Sequence, residues 1–154
     1  MKLYHSSAAI VMGTLLAISF AHADDKLELV KKSAFLAFDA DQNGTATAKE
    51  IVDGFFALYA ATDNDDSGSV SLDEFKVLSL GLAPVAESSG KLTSYEASRA
   101  VIFKRWDINA DGKLTEREFA GGGMLEVLDS AKFGLSLDEF SKTVFIAEMT
   151  DSLK

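Results

Sequence analysis

Residues Asp107 to Glu118 read Asp-Ile-Asn-Ala-Asp-Gly-Lys-Leu-Thr-Glu-Arg-Glu, an acidic stretch of twelve residues. Side chains with oxygen atoms stand at its positions 1, 3, 5, 9 and 12, and Gly112 at position 6 allows a sharp turn. This is the ligand spacing of a calcium loop, in which position 7 contributes a backbone carbonyl and a bidentate Glu closes the site. The predicted ligands are Asp107, Asn109, Asp111, Lys113, Thr115 and Glu118.

The same spacing occurs twice upstream of this stretch, which we name loop 3. In loop 1, residues 39–50, Gly44 takes the turn and the predicted ligands are Asp39, Asp41, Asn43, Thr45, Thr47 and Glu50. In loop 2, residues 63–74, Gly68 takes the turn and the predicted ligands are Asp63, Asp65, Ser67, Ser69, Ser71 and Glu74. At these positions the chain resembles the EF-hand family. The resemblance implies an all-α fold of helix–loop–helix units that bind Ca²⁺.

A fourth loop is expected because Ser71-Leu72-Asp73-Glu74-Phe75 recurs unchanged at residues 136–140. Counting back from Glu139 places Phe133 at the glycine position. Counting forward from Asp129 places Gly134 there, but then Ala131 and Phe133 occupy ligand positions. Loop 4 is therefore expected to bind no metal, and the resemblance implies that it remains as a structural partner for a working loop.

All four loops carry Ser or Thr at position 9 and Glu at position 12. This spacing predicts a capping box at the start of each outgoing helix. Further capping boxes are expected at Asp25 to Glu28 and at Thr93 to Glu96.

The spacing of the loops predicts two pseudo-repeated halves, at about residues 24–77 and 93–154, joined by an irregular surface linker at 78–92. Only Ile51 to Thr62 separate loops 1 and 2, enough for one shared helix about 18 Å long. Phe119 to Leu128 would be the shared helix of the second half. Because loops at opposite ends of one helix cannot lie side by side, loops must pair between the halves. Either loop 2 pairs with loop 3 and loop 1 with loop 4, or loop 1 pairs with loop 3 and loop 2 with loop 4.

Two local features are expected to weaken this scheme. Gly121-Gly122-Gly123 would each cost about 1 kcal/mol against Ala, which predicts a late or irregular start for the second shared helix.

Position 8 of a calcium loop pairs with its partner loop in a short β-bridge, a role that suits Val70 and Leu114 but not Ala46. Loop 1 also has Asn43 in place of an acid at position 5, so it is expected to be the weakest of the three working loops.

The first 23 residues resemble a cleavable signal peptide, with Lys2, an apolar stretch at 8–20 and Ala21-His22-Ala23 before Asp24. The alternative, a membrane anchor, needs a longer apolar segment. We therefore expect an exported protein, periplasmic or secreted, consisting of one EF-hand domain at residues 24–154 without a membrane anchor. The short spacing between the paired loops is similar to that in exported bacterial members of the family.

The composition limits the possible functions. The net charge of −9 argues against nucleic acid or anionic membranes as partners. The chain has no Cys and both His residues lie in the leader, which leaves no imidazole or thiol for catalysis or for transition metals. Three closing Glu residues favour Ca²⁺ over Mg²⁺.

We expect a non-catalytic calcium-binding protein in which calcium mainly stabilises the fold or is buffered. The alternative is a calcium-dependent sensor or adaptor that binds a protein partner through its Phe-rich helices. An enzyme that uses carboxylates alone is a third class, but the acids outside the loops form no evident catalytic pair.

Overall fold

The computed structural model describes residues 23–128 and 134–154, a mostly helical chain with one small sheet. The predicted signal peptide, except Ala23, and residues 129–133 of loop 4 lie outside the described residues. In chain order the elements are α1 (Ala23–Leu36), α2 (Ala48–Thr62), β1 (Ser69–Ser71), α3 (Leu72–Phe75), α4 (Leu82–Ser88), α5 (Leu92–Trp106), β2 (Lys113–Thr115), α6 (Glu116–Leu128), α7 (Leu137–Ser141) and α8 (Val144–Asp151).

Helix α2 is the shared helix expected between loops 1 and 2. Its N-cap is Thr47, whose side chain accepts from the Glu50 amide while the Glu50 carboxylate accepts from the Thr47 amide. Its C-cap is Asp63, the first residue of loop 2. One uninterrupted helix therefore begins in loop 1 and ends at loop 2.

The loops pair between the two halves, as the length of the shared helices requires. Strands β1 and β2 are antiparallel, with Val70 opposite Leu114, so loop 2 pairs with loop 3. Ala46 forms an isolated antiparallel bridge with Leu135, so loop 1 pairs with the remnant of loop 4. Of the two pairings left open by the sequence, the structure has the first. Helices α2 and α6 pack against each other and run antiparallel between the two loop pairs.

Ala46 forms a β-bridge, although we expected its small side chain not to suit this role. Two backbone hydrogen bonds of 2.8 Å join it to Leu135, and both residues are fully buried. The bridge depends on main-chain groups, so the small side chain does not prevent it. Our interpretation of Ala46 was wrong.

The linker at 78–92 is not irregular, because it contains helix α4. Leu82, Val85 and Ala86 recur at helical spacing and are buried, and the helix packs against α1 and α5. Pro84 is tolerated because it lies in the first turn, where backbone N–H groups have no partner inside the helix. Gly81 and Pro84 favoured an irregular connection, and the apolar face of Leu82, Val85 and Ala86 was missed.

The glycine triplet does not delay the second shared helix. Helix α6 begins at Glu116 and continues through Gly121, Gly122 and Gly123. A Cβ on Gly123 would lie 2.1 Å from the ring of Phe55 in α2. Packing between the halves therefore offsets the conformational cost of these residues, and the prediction of an irregular start was wrong.

Two of the predicted capping boxes are also wrong. Helix α5 begins at Leu92 with Lys91 as N-cap and has no side-chain cap, so Thr93 lies inside it. Asp25 lies inside α1, which extends at least to Ala23.

The core between these helices is aromatic. Phe55 lies near its centre, with ring centroids 5.1 Å from Phe38, 6.3 Å from Trp106 and 6.0 Å from Phe145. The buried Phe residues are Phe35, Phe38, Phe55, Phe75, Phe103, Phe119, Phe140 and Phe145, whereas Phe56 is exposed. In the part of the chain that is described, no helix has the length and hydropathy needed to cross a membrane.

Candidate metal centres

The three complete loops share one backbone conformation. Position 4 is left-handed in each, with φ of 57° at Gln42, 53° at Asp66 and 56° at Ala110. Position 6 also has positive φ, at Gly44 (89°), Gly68 (81°) and Gly112 (81°). Gly is the residue that adopts such angles without a steric penalty, so the predicted turn glycines are where the backbone needs them.

The first Asp of each loop holds this turn together. In loop 1, Asp39 Oδ1 accepts from the Asn43 amide at 3.1 Å and its Oδ2 accepts from the Gly44 amide at 2.9 Å. Asp63 in loop 2 and Asp107 in loop 3 accept from the amides of their own positions 5 and 6 at 2.9–3.1 Å. These bonds fix the first carboxylate of each loop over the inside of the turn.

The closing Glu reaches back across each loop. Glu50 Oε1 accepts from the amides of Ala40 and Asp41 at 3.0 and 3.3 Å, near the start of loop 1. Glu74 accepts from the Asn64 amide at 3.1 Å, and Glu118 from the Asn109 amide at 3.4 Å. The last predicted ligand of each loop thereby reaches back to the backbone near the start of that loop.

The position 9 hydroxyls hold these Glu side chains. Thr47, Ser71 and Thr115 each donate from the hydroxyl to their Glu at 2.7–2.8 Å, and their amides donate to the same oxygen. These bonds from Thr47 and Ser71 lower the pKa of Glu50 and of Glu74. Burial raises the pKa of Glu118, but hydrogen bonds from Thr115 and from loop amides outweigh it, so the net shift is downward. The closing carboxylates are thus held in the charged form that a cation needs.

Carboxylate oxygens converge in two of the loops. Asp39, Asp41 and Glu50 each offer an oxygen within 4.8 Å of the others, and loop 2 does the same with its own triad, Asp63, Asp65 and Glu74. The first carboxylate of each triad is buried, with exposures of 2% for Asp39 and 7% for Asp63. Both triads could hold a metal ion.

Loop 3 has a different acid arrangement. Asn109 stands where loops 1 and 2 have their second Asp, and its amide nitrogen donates to Asp111 Oδ2 at 3.0 Å. Among the described residues, the acids of loop 3 do not form a converging triad. Its backbone and closing Glu match the other two loops, so its predicted ligands share a turn without three clustered carboxylates.

The remaining predicted ligands line the same turns. Asn43 Nδ2 donates to Asp41 Oδ2 at 2.8 Å, and Asn43 Oδ1 accepts from the Thr45 amide at 2.9 Å. Ser67 Oγ donates to the carbonyl of Ser69, the position 7 residue, at 2.9 Å, so two predicted ligand oxygens of loop 2 lie next to each other. At the same position 7 of loops 1 and 3, the predicted ligands are the backbone carbonyl oxygens of Thr45 and Lys113.

No basic side chain forms an ion pair with a predicted ligand carboxylate in the described ranges. The ion pairs there join other acids, such as Asp53 to Lys49 and, at a position of loop 2 that is not a predicted ligand, Asp73 to Lys76. Burying a carboxylate without a partner charge costs free energy. The atoms of these turns that could bind a metal are all oxygens. A hard divalent cation fits this donor set better than a transition metal does.

The part of loop 4 that is described keeps the structural features of the other loops. Ser136 and Glu139 form the predicted capping box, and their hydrogen bonds lower the pKa of Glu139. The bridge to Ala46 gives Leu135 the same register as Val70 and Leu114, which agrees with counting back from Glu139. The same count places Leu135 at the bridging position 8, a signal in the sequence that was missed.

Comparison of the chain with protein-family models, with curated proteins and with solved structures finds no match. The resemblance to EF-hand loops therefore rests on the loop residues and on the geometry described above.

Proposed function

We propose that this is an exported, non-catalytic calcium-binding protein with three active EF-hand loops and one degenerate loop. The observation that carries the proposal is the pair of converging acidic triads, each held in a turn of the same conformation and without a basic partner. The closing Glu of each loop can supply two oxygens at once, which favours calcium over the smaller magnesium ion.

Calcium would mainly stabilise the fold or be buffered. Each loop joins helices that pack on one core, and α2 is attached to a loop at both of its ends. Eight Phe side chains are buried in that core, which supports packing as their role. The absence of Cys, and of His after the first 22 residues, supports a non-catalytic protein.

The proposal is tested by calorimetric titration of residues 24–154 with calcium. Three ions should bind per chain. Glu74→Gln should remove one ion, because the amide cannot close the coordination shell with two charged oxygens. Glu139→Gln is the matched control, since Glu139 has the same capping box in loop 4 but should hold no metal. Loss of an ion with Glu139→Gln, or no binding by the wild type, would contradict the assignment.

The alternative is a calcium-dependent adaptor that binds a protein partner. This alternative is supported by a groove between α2 and α6 that is lined by Phe56, Ala120 and Met124. The Phe56 side chain is 41% exposed there. An adaptor should bind more hydrophobic dye when calcium is added, whereas a calcium-stabilised fold should bind less.

Export is tested separately by the intact mass of the protein recovered outside the cytoplasm, which should begin at Asp24.

A further inference from the structure

An aromatic residue immediately precedes loops 1 and 3, and each packs on a glycine. Phe38 lies against Gly54 of α2, and Trp106 lies against Gly122 of α6. A Cβ on Gly54 would lie 2.6 Å from Phe38 Cδ1, and one on Gly122 would lie 2.4 Å from Trp106 Cγ. These distances are too short for any contact of a real side chain, so the missing Cβ is what allows the approach.

The two rings have little room to move away. Phe38 is fully buried, with ring centroids 5.1 Å from Phe55 and 5.2 Å from Phe140. Trp106 is 1% exposed, packs on Phe119 at 5.6 Å and donates from Nε1 to Glu126 at 3.0 Å. In a close-packed core, an added methyl group therefore displaces the helix rather than the ring.

The position of each glycine connects this packing to the loop. Gly54 lies four residues, or about one turn, after Glu50, the closing ligand of loop 1, and Phe38 directly precedes Asp39, the first ligand. Gly122 has the same relation to Glu118, and Trp106 to Asp107. The contact thus joins the chain segment that brings the first ligand to the helix that brings the last.

Loop 2 provides an internal comparison, because it lacks this contact. The equivalent positions are Thr62, before Asp63, and Leu78, four residues after Glu74. Its outgoing helix, α3, is only four residues long. The glycine–aromatic contact therefore belongs to the loops that open each half.

We propose that Gly54 and Gly122 are positioning residues for metal binding in loops 1 and 3. Their missing β-carbons let the outgoing helix approach the aromatic residue that precedes the loop. This approach sets the distance between the first and last carboxylate of each site. The inference rests on the proposed calcium binding and assigns residues outside the loops that control it.

The test compares three glycine-to-alanine variants of residues 24–154 in calcium titrations followed by NMR. The amides of Gly44, Gly68 and Gly112 each donate to the first Asp of their own loop, so their signals report the three sites separately. Gly54→Ala should weaken binding in loop 1, and Gly122→Ala in loop 3, by about tenfold or more. Gly121→Ala is the control, because its Cβ would meet no atom within 4 Å. Its three sites should keep wild-type affinity.

A double-mutant cycle guards against a variant that merely folds poorly. Phe38→Leu removes the ring that the new Cβ would meet, so Gly54→Ala should reduce loop 1 affinity less in the Phe38→Leu background than in the wild type. Equal losses in both backgrounds would overturn the inference, as would unchanged affinity in Gly54→Ala. If the wild type binds no calcium, the proposed function fails first. If the wild type binds and all three alanine variants bind equally well, only this inference fails.

Discussion

At the residue scale, hydrogen bonds to the closing Glu residues favour the charged form of each carboxyl and lower its pKa. The Ser71 hydroxyl and amide both donate to Glu74 Oε2, at 2.7 and 2.8 Å, and they lower the pKa of that carboxyl. A lowered pKa contributes stability above the ordinary pKa of Glu, and this contribution is lost as pH falls through the folded pKa. Calcium affinity should fall over the same acidic range, because protons compete for the same oxygens.

Replacing the hydroxyl tests this cause directly. In metal-free protein, Ser71→Ala should raise the pKa of Glu74 toward its ordinary value, as measured by NMR titration of the side-chain carboxyl. Ser136→Ala should likewise raise the pKa of Glu139, whose loop is not expected to bind metal. An unchanged Glu74 pKa in Ser71→Ala would show that the amide bonds alone account for the shift.

Gly134 holds the remnant of loop 4 against loop 1. Its φ is 103°, and a Cβ there would lie 2.6 Å from Thr45 Cγ2. Gly90 is a matched control, because its φ is 67° but a Cβ would meet nothing within 4 Å. In urea unfolding, Gly90→Ala should lose about 1–2 kcal/mol from backbone strain, and Gly134→Ala about 1–3 kcal/mol more from the clash. Equal losses would show that the Thr45 side chain can move away from a Cβ at position 134, so that this contact does not require a glycine.

The three turns and the acidic triads of loops 1 and 2 could be predicted from the sequence, because a twelve-residue spacing fixes which side chains share a turn. The roles of Gly54, Gly122 and Gly123 could not be, since a glycine within a helix indicates only a conformational cost until its neighbours in space are known. The same limit applies to Ala46, whose pairing depends on main-chain atoms.

At the scale of elements, the length of α2 limits which loops can pair. A short helix that joins two loops forbids them from pairing, and this left two arrangements that the sequence could not distinguish. The choice depends on how α2 and α6 pack, and that contact involves residues distant in sequence, such as Phe55 and Gly123. Helix α4 was missed for a related reason, because its apolar residues are buried by contacts with α1 and α5 that the local sequence does not show.

The burial of α4 gives a prediction about the segment between the halves. Leu82 is 1% exposed, so Leu82→Ala should destabilise the protein by about 2–5 kcal/mol. Leu125 on α6 is 74% exposed, and Leu125→Ala should change stability by less than about 0.5 kcal/mol. Chemical denaturation of both variants measures the difference. Similar small losses would mean that residues 82–88 form a surface connection after all.

At the scale of the whole molecule, the four loops form two pairs at opposite ends of the antiparallel α2 and α6. Loops 2 and 3 share the sheet at one end, and loops 1 and 4 share the Ala46–Leu135 bridge at the other. Cations bound at either end would therefore stabilise the same helices. This arrangement supports our proposal that calcium stabilises the fold rather than opening one pair of helices.

The most direct test of this account is the melting temperature of residues 24–154 with calcium and with a chelator. An ion that binds only the folded state, at about 100 times its dissociation constant, contributes about 2.7 kcal/mol per site. Three such sites would be comparable to the whole stability of an ordinary domain, about 5–15 kcal/mol. We predict a large rise in melting temperature with calcium, and a smaller rise in Glu74→Gln. The same melting temperature with calcium and with chelator would contradict it.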